Sequence, residues 1–186
     1  MPAKPPALLI VDMMNLFEFE DAASLAFAAV RCASVIERLR TRFDRAGAPV
    51  VYINDNFAHW QGEFRDLVAQ CISTQGPPAE IARKLAPRSS DFHILKPKHS
   101  AFLATPLTVL LAKLRTQRLV ITGIAADSCI LATAQDAHMR EFGLWVPGDA
   151  VAAQTSERKA RALALMAQTL GADVRGERSV RGLFPR

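Results

Sequence analysis

Three side chains of different chemical type each follow a short run with the composition of a β-strand. Asp12 follows ALLIV, Lys96 follows FHIL in the segment LKPKHSAF, and Cys129 comes after LVIT in the segment GIAADSC. In open α/β sheets, ligands bind at the carboxyl ends of the parallel strands. We therefore expect a carboxylate, an ammonium group and a thiol to meet at one edge of a sheet, where together they could carry out covalent catalysis.

The chemistry that these groups could share is nucleophilic attack on a carbonyl carbon. A free thiol has an ordinary pKa of about 8.5 and attacks as its thiolate. We expect Cys129 in the first turn of a helix, where the N-terminal amides, the helix dipole and Lys96 favour the thiolate. Asp12 could accept the thiol proton and deliver it to a leaving nitrogen. Amides near Cys129 could stabilise an oxyanion.

Each of these residues also has a structural explanation when it is taken alone. Asp12 could close a strand and cap a turn, and Lys96 could be an ordinary surface charge. Cys129 could be a small buried apolar residue. Cys32 and Cys71 fit this last description, because both lie among apolar residues at helical spacing. We interpret those two cysteines as structural, and only the combination of Asp12, Lys96 and Cys129 indicates a site.

Alternation of β-type runs with helical patterns predicts βαβ units and a parallel sheet. The predicted strands are 7–11, 50–53, 92–95, 119–122, 144–146 and 172–175. Helices are predicted around 25–43, 64–72, 78–85 and 107–114. Two more are predicted, one that opens near Ser128 and one that Ser156 caps. The predicted fold class is α/β, a three-layer α/β/α sandwich with a central, mostly parallel six-stranded sheet.

Length and composition predict a single globular domain over residues 1–186, since half of the residues are hydrophobic and 22% are charged. No apolar run approaches the roughly 20 residues that cross a bilayer. Three widely spaced cysteines without a CxxC pattern argue against a disulfide framework. We therefore expect a cytoplasmic protein without a membrane partner. The net charge of +5 comes from dispersed basic residues, which favours a solvated surface over a nucleic-acid site.

Other catalytic or cofactor-binding patterns are missing from the sequence. It has no GxGxxG or P-loop motif for a nucleotide, and no G-x-S-x-G nucleophile elbow. Its four histidines show no metal-ligand spacing. We therefore expect neither a cofactor nor a metal.

Four sequence blocks resemble the isochorismatase-like cysteine hydrolase superfamily. They are LLIVDMMN, LKPKHSAF, LVITGIAADSCILATAQDA and VPGDAVAA, and together they cover most of the chain in the family's order. The resemblance implies a Rossmann-type α/β/α fold and a catalytic triad of Asp12, Lys96 and Cys129. In that triad Cys129 is the nucleophile, Asp12 accepts and donates the proton, and Lys96 helps to hold the thiolate.

The resemblance also implies a cis peptide bond that does not involve proline, between Ile124 and Ala125. This bond would turn the Ala125 amide toward the site, where it would share an oxyanion with the amide of Cys129. Relatives are often oligomers, so we expect a homodimer or homotetramer. From position alone, the pocket residues are expected to be Phe17, Asn56, Trp60, Arg65 and Phe102.

The chain departs from the nicotinamidase branch of this superfamily, which carries an Asp-x-His metal motif after the second strand. Here the segment is INDNFAHWQGEF, with Phe57 two residues after Asp55, and His59 alone does not rebuild the motif. Zinc-dependent nicotinamide hydrolysis is therefore disfavoured.

We predict a cysteine-dependent hydrolase of a small molecule with a carbonyl–nitrogen bond, either amide or carbamoyl, that forms a thioester intermediate. One alternative is an isochorismatase-type vinyl-ether hydrolase that does not need the cysteine. Another is a catalytically silent binding or scaffold protein on the same fold.

Overall fold

A computed structural model describes residues 4–57 and 61–185, within which six strands alternate with helices. The strands are β1 (Ala7–Val11), β2 (Val50–Asp55), β3 (Phe92–Lys96), β4 (Arg118–Ile124), β5 (Gly143–Trp145) and β6 (Val151–Ala152). The helices are α1 (Ala22–Arg45), α2 (Phe64–Ser73), α3 (Pro77–Lys84), α4 (Leu107–Lys113), α5 (Leu131–Met139) and α6 (Ser156–Leu170). A π-helical turn, Ala126–Ile130, leads into α5, and a 3-10 turn, Glu177–Ser179, follows α6.

The sheet is parallel throughout, in the order β3-β2-β1-β4-β5, with β6 paired to the end of β4. The central strand β1 pairs with β2 on one side and with β4 on the other, so that Val11 lies opposite both Ile53 and Gly123. Every residue of β1 is buried, which explains its continuous apolar run.

Alternate residues of β1 enter two apolar layers. Leu8 and Ile10 pack with α1, α2 and α3, whereas Leu9 and Val11 pack with α4, α5 and α6. Helices therefore cover both faces of the sheet, and the predicted three-layer α/β/α sandwich is confirmed. Among the described residues, no helix has the length and apolar character needed to cross a membrane.

The prediction of the sixth strand was wrong. Residues 172–175 make only an isolated bridge, between Asp173 and Trp145, and the sixth strand of the sheet is β6. The Asp173 carboxylate accepts a hydrogen bond from the Arg175 amide and pairs with its guanidinium group, which turns the chain locally. β6 has only two residues, too few for an alternating pattern to reveal it.

Two helix starts also differ from the sequence expectation. Thr155 rather than Ser156 caps α6, because its hydroxyl oxygen accepts the Arg158 amide at 3.1 Å. The turn that was expected to open near Ser128 begins at Ala126. The carbonyl of Ala125 accepts the amide of Ser128 at 3.1 Å, which starts the turn two residues earlier.

Gly123 permits the close approach of β4 to β1. Its φ angle is +115°, and a Cβ atom at this position would lie 2.0 Å from the carbonyl oxygen of Val11. Only glycine fits both the backbone conformation and the space. The chain directly after Gly123 leads to Cys129, and the chain directly after Val11 is Asp12, so this contact brings two parts of the predicted site together.

We expect Gly123→Ala to destabilise the fold by more than about 3 kcal/mol, because the added Cβ meets a backbone atom as well as an unfavourable φ angle. Gly47→Ala is the matched control, since Gly47 also has a positive φ of 61° but nothing within 4 Å of its added Cβ. That change should cost only about 1–2 kcal/mol. Urea denaturation measures both values, and equal losses would contradict the clash.

Candidate active site

Asp12, Lys96 and Cys129 meet at the carboxyl edge of the sheet. Asp12 directly follows β1, Lys96 is the last residue of β3, and Cys129 lies in the π-helical turn after β4. The Lys96 Nζ atom is 2.9 Å from Asp12 Oδ2 and 3.6 Å from Cys129 Sγ. The structure thus brings together the three side chains that the strand-end rule singled out.

Lys96 is buried and therefore is not the surface charge that its type alone suggests. Its side chain is 0% exposed, and its ammonium group also forms an ion pair with Asp55. The strand register places Asp55 directly beside Lys96. Burial lowers the pKa of this ammonium group, but attraction to Asp12, Cys129 and Asp55 outweighs burial and raises it. Lys96 is therefore a fixed positive charge at the centre of the site.

Asp12 is held by the adjacent strand. Its amide donates to the carbonyl of Ile53 at 2.8 Å, and its Oδ1 atom accepts the amide of Asp55, also at 2.8 Å. Burial raises the pKa of its carboxyl group to about 6, although the positive charge of Lys96 opposes the rise. Such a carboxyl group can accept or release a proton near neutral pH.

The thiol of Cys129 has a higher pKa than the sequence predicts. Its residue is buried, and burial followed by the negative charge of Asp12 raises the pKa of the thiol to about 12, against the opposing effect of Lys96. The helix N-terminus and one lysine were expected to favour the thiolate. They are outweighed because the sulfur is desolvated beside two carboxylates. Cys129 is therefore a thiol at rest, with its sulfur within 4.8 Å of a carboxylate oxygen of Asp12.

The peptide bond between Ile124 and Ala125 is cis, at the position that the family resemblance implies. The carbonyl of Ala125 accepts the amides of Ser128 and Ile130, both at 3.1 Å. These bonds fix the turn that carries Cys129. The oxyanion role of the Ala125 and Cys129 amides stays a prediction.

The loop after β3 is fastened to the helix that follows Cys129. The Ser100 hydroxyl donates to the Asp136 carboxylate, and the amide of Ala101 donates to Thr133 Oγ1 at 3.0 Å. Both partners belong to the block ILATAQDA, and both donors belong to LKPKHSAF. These contacts explain why the two blocks occur together, because one positions the other.

Two residues near the thiol were missed by the sequence reasoning. Asp55 was considered only as part of an absent metal motif, and it proves to be a second carboxylate on Lys96. His99 Nδ1 lies 3.8 Å from Cys129 Sγ and 3.2 Å from Ser128 Oγ. A signal was available for both: Asp55 ends a strand, and His99 follows Lys96 by three residues in the same block.

A cavity of about 360 Å³ adjoins the site, with Asp55 in their common wall. Its lining includes the carboxylates Glu18, Glu63 and Asp66, together with apolar side chains such as Leu16 and Leu67. The cavity has room for a small molecule next to Asp55.

Of the expected pocket residues, Asn56 lines this cavity. The structure does not place Arg65 there, because its side chain is 79% exposed and pairs with Glu63 at 2.8 Å. Trp60 lies outside the described residues, as does His59.

Two further expected pocket residues are not among those that line this cavity. Phe17 is half-buried, with its ring 6.4 Å from that of Phe19. Phe102 is buried on the α5 side of the sheet, 6.0 Å from the ring of Phe142 and under the guanidinium group of Arg140. A role of these residues in binding substrate stays a prediction.

Within residues 4–57 and 61–185, Asp12, Asp55 and Cys129 form a group that could hold a metal ion, since their ligand atoms lie within 4.8 Å of one another. The Lys96 ammonium group contacts all of them. It already supplies the positive charge that this group of acidic side chains requires.

Comparison with known proteins assigns the chain to a family. The family model described as the isochorismatase domain matches residues 6–177. The chain belongs to the isochorismatase family of hydrolases. The uncharacterised isochorismatase family protein YaaI of Bacillus subtilis is 37% identical over 174 residues, which are 94% of this chain and 95% of that protein.

More distant relatives of this isochorismatase-family hydrolase have named activities. An isochorismatase of Bacillus subtilis is 32% identical over 84% of this chain, which spans about half, 51%, of that protein. The ureidoacrylate amidohydrolase RutB of Klebsiella pneumoniae is 24% identical, over 76% of this chain and 75% of its own. The crystal structure of N-carbamoylsarcosine amidase from Thermoplasma acidophilum is 26% identical, with a TM-score of 0.73, and covers 96% of this chain and 99% of its own.

Replacing the buried ammonium group should destabilise this hydrolase. We expect Lys96→Met to cost about 3–5 kcal/mol, because it leaves Asp12 and Asp55 side by side without their cation. Lys98→Met is the matched control, since Lys98 is exposed, and should change stability by less than about 0.5 kcal/mol. Denaturant titration of both variants tests this, and a Lys96→Met protein as stable as the control would contradict the ion-pair account.

Proposed function

We propose that this protein is a cysteine-dependent hydrolase that cleaves a carbonyl–nitrogen bond, amide or carbamoyl, in a small molecule. The observation that carries the proposal is the position of the Cys129 sulfur, which lies within 4.8 Å of a carboxylate oxygen of Asp12 and 3.6 Å from Lys96 Nζ. The similarity to an amidohydrolase and to an amidase supports the same bond type. The cavity next to Asp55 is large enough for a substrate of this kind.

The first half-reaction forms a thioester. Asp12 accepts the proton of the Cys129 thiol as the sulfur adds to the carbonyl carbon, and Lys96 stabilises the negative charge that develops there. The amides of Ala125 and Cys129 donate hydrogen bonds to the oxyanion. Asp12 then gives its proton to the leaving nitrogen, the carbon–nitrogen bond breaks, and the amine departs.

The second half-reaction releases the acid product. A water molecule adds to the thioester carbonyl and passes a proton to Asp12, which is again ionised. The carbon–sulfur bond then breaks, and Asp12 returns the proton to the sulfur of Cys129. No proton is gained or lost by the enzyme over the complete cycle.

Vinyl-ether hydrolysis of the isochorismatase type is the second candidate, since one relative of that name is 32% identical. That chemistry does not need the cysteine. The proximity of the Cys129 sulfur to the Asp12 carboxylate favours the carbonyl–nitrogen reaction, in which Asp12 takes the proton of the thiol.

We expect Cys129→Ala to abolish turnover of any amide or carbamoyl compound that the wild type hydrolyses, because no thioester can form. Cys32→Ala and Cys71→Ala are matched controls, since both cysteines are buried in the apolar layer over α1 to α3. They should lower stability but keep the rate per folded enzyme. Screening amides, carbamoyl compounds and isochorismate measures this. Full activity of Cys129→Ala would overturn the proposal, and isochorismate turnover by that variant would establish the vinyl-ether reaction.

The rate should depend on the ionisation of Asp12. Since burial raises the pKa of this carboxyl group to about 6 and the reaction needs it ionised, kcat/KM should fall as the pH drops through that value. Circular dichroism at each pH separates this loss from acid unfolding. Asp12→Asn should be inactive across the whole range. An acid limb at the ordinary carboxyl pKa of about 4 would contradict the effect of burial.

Three other properties predicted from the sequence also stay proposals. These are a single domain over residues 1–186, a cytoplasmic location, and a homodimer or homotetramer. Light scattering coupled to size-exclusion chromatography measures the last of them directly.

A further inference from the structure

His99 reaches the Cys129 sulfur from the solvent side. Its Nδ1 atom lies 3.8 Å from Sγ and 3.2 Å from Ser128 Oγ, and the residue itself is exposed. The other partners of the sulfur are buried, since Asp12 is 3% and Lys96 0% exposed. Within the described part of the chain, His99 is thus the exposed side chain that lies within hydrogen-bond distance of this buried sulfur.

The position of His99 is fixed by its neighbours. The next residue, Ser100, donates to the Asp136 carboxylate, and Ala101 donates through its amide to Thr133 Oγ1 at 3.0 Å. Both contacts hold the loop against α5, which continues directly from the turn that carries Cys129. The imidazole and the thiol therefore belong to segments that are fastened to each other, and their contact does not depend on a loose loop.

Two carboxylates and one ammonium group face the sulfur, so one more hydrogen-bond donor would help to stabilise the thiolate. Asp12 after β1 and Asp55 on β2 are two carboxylates that disfavour a thiolate, whereas Lys96 on β3 is one ammonium group that favours it. A hydrogen bond from His99, in the loop after β3, would offset the second carboxylate. Hydrogen bonds to ionised groups are the strong ones in proteins.

We propose that His99 is a further catalytic residue, whose Nδ1–H donates a hydrogen bond to the Cys129 sulfur and stabilises the thiolate. The inference rests on the proposed function, because the thiolate forms when Asp12 takes the thiol proton. His99 transfers no proton in this step, so the proton balance of the cycle is unchanged. The donor is present both in the neutral ring protonated at Nδ1 and in the doubly protonated ring.

The test is the rate at which iodoacetamide alkylates Cys129, followed by peptide mass spectrometry from pH 5 to 10 in the otherwise intact chain. His99→Ala removes the donor, so alkylation should slow about ten- to a hundred-fold at each pH. His99→Asn keeps an N–H at the position of Nδ1 and should stay near the wild-type rate. His138→Ala, at an exposed histidine on α5, is the matched control and should change nothing.

Equal rates for wild type and His99→Ala, or equal losses in the alanine and asparagine variants, would overturn the role of the donor. Alkylation of Cys32 or Cys71 reports unfolding, because both are buried. Amide turnover is measured in parallel. Turnover that needs Cys129 but not His99 would leave the proposed function standing and refute this inference. Slower alkylation in His99→Ala, with no amide turnover even by the wild type, would support the contact and refute the proposed function.

Discussion

The buried ammonium group of Lys96 is the constraint that the rest of the site depends on. Removing such a charge from water costs several kcal/mol unless close partners of opposite charge receive it. Its partners come from neighbouring strands: Asp12 after β1 and Asp55 at the end of β2. These groups meet only if β1, β2 and β3 are adjacent, parallel and in the observed register. The topology of the sheet and the electrostatics of the site therefore require each other.

The same burial decides how the thiol can react. In water, a lysine next to a cysteine would favour a standing thiolate. Here desolvation and Asp12 raise the pKa of the Cys129 thiol, while burial also raises that of the Asp12 carboxyl group. At rest the proton therefore stays on the sulfur. In the proposed mechanism it moves to Asp12 during the attack on the carbonyl carbon, with Lys96 as the fixed charge that stabilises the anion on either side.

Sequence reasoning located the residues that end buried strands, since an apolar run followed by a chemical group is visible without coordinates. Asp12 and Lys96 were found in this way, and the family resemblance added the Ile124–Ala125 bond. The role of Asp55 was missed because its contact with Lys96 depends on the register between β2 and β3. The predicted direction of the shift in the Cys129 pKa was wrong, because the extent of burial of a side chain cannot be read from the sequence. β6 was missed because two residues carry no periodicity.

Asp55 stands where the nicotinamidase branch has the aspartate of its Asp-x-His motif, and in this chain its carboxylate pairs with Lys96. A cation held by Asp12, Asp55 and Cys129 would lie close to the Lys96 ammonium group, and like charges a few ångströms apart in a buried site repel strongly. Two residues after Asp55, Phe57 lines the cavity where that motif has a histidine. The Asp55 carboxylate thus helps to keep Lys96 charged beside Cys129.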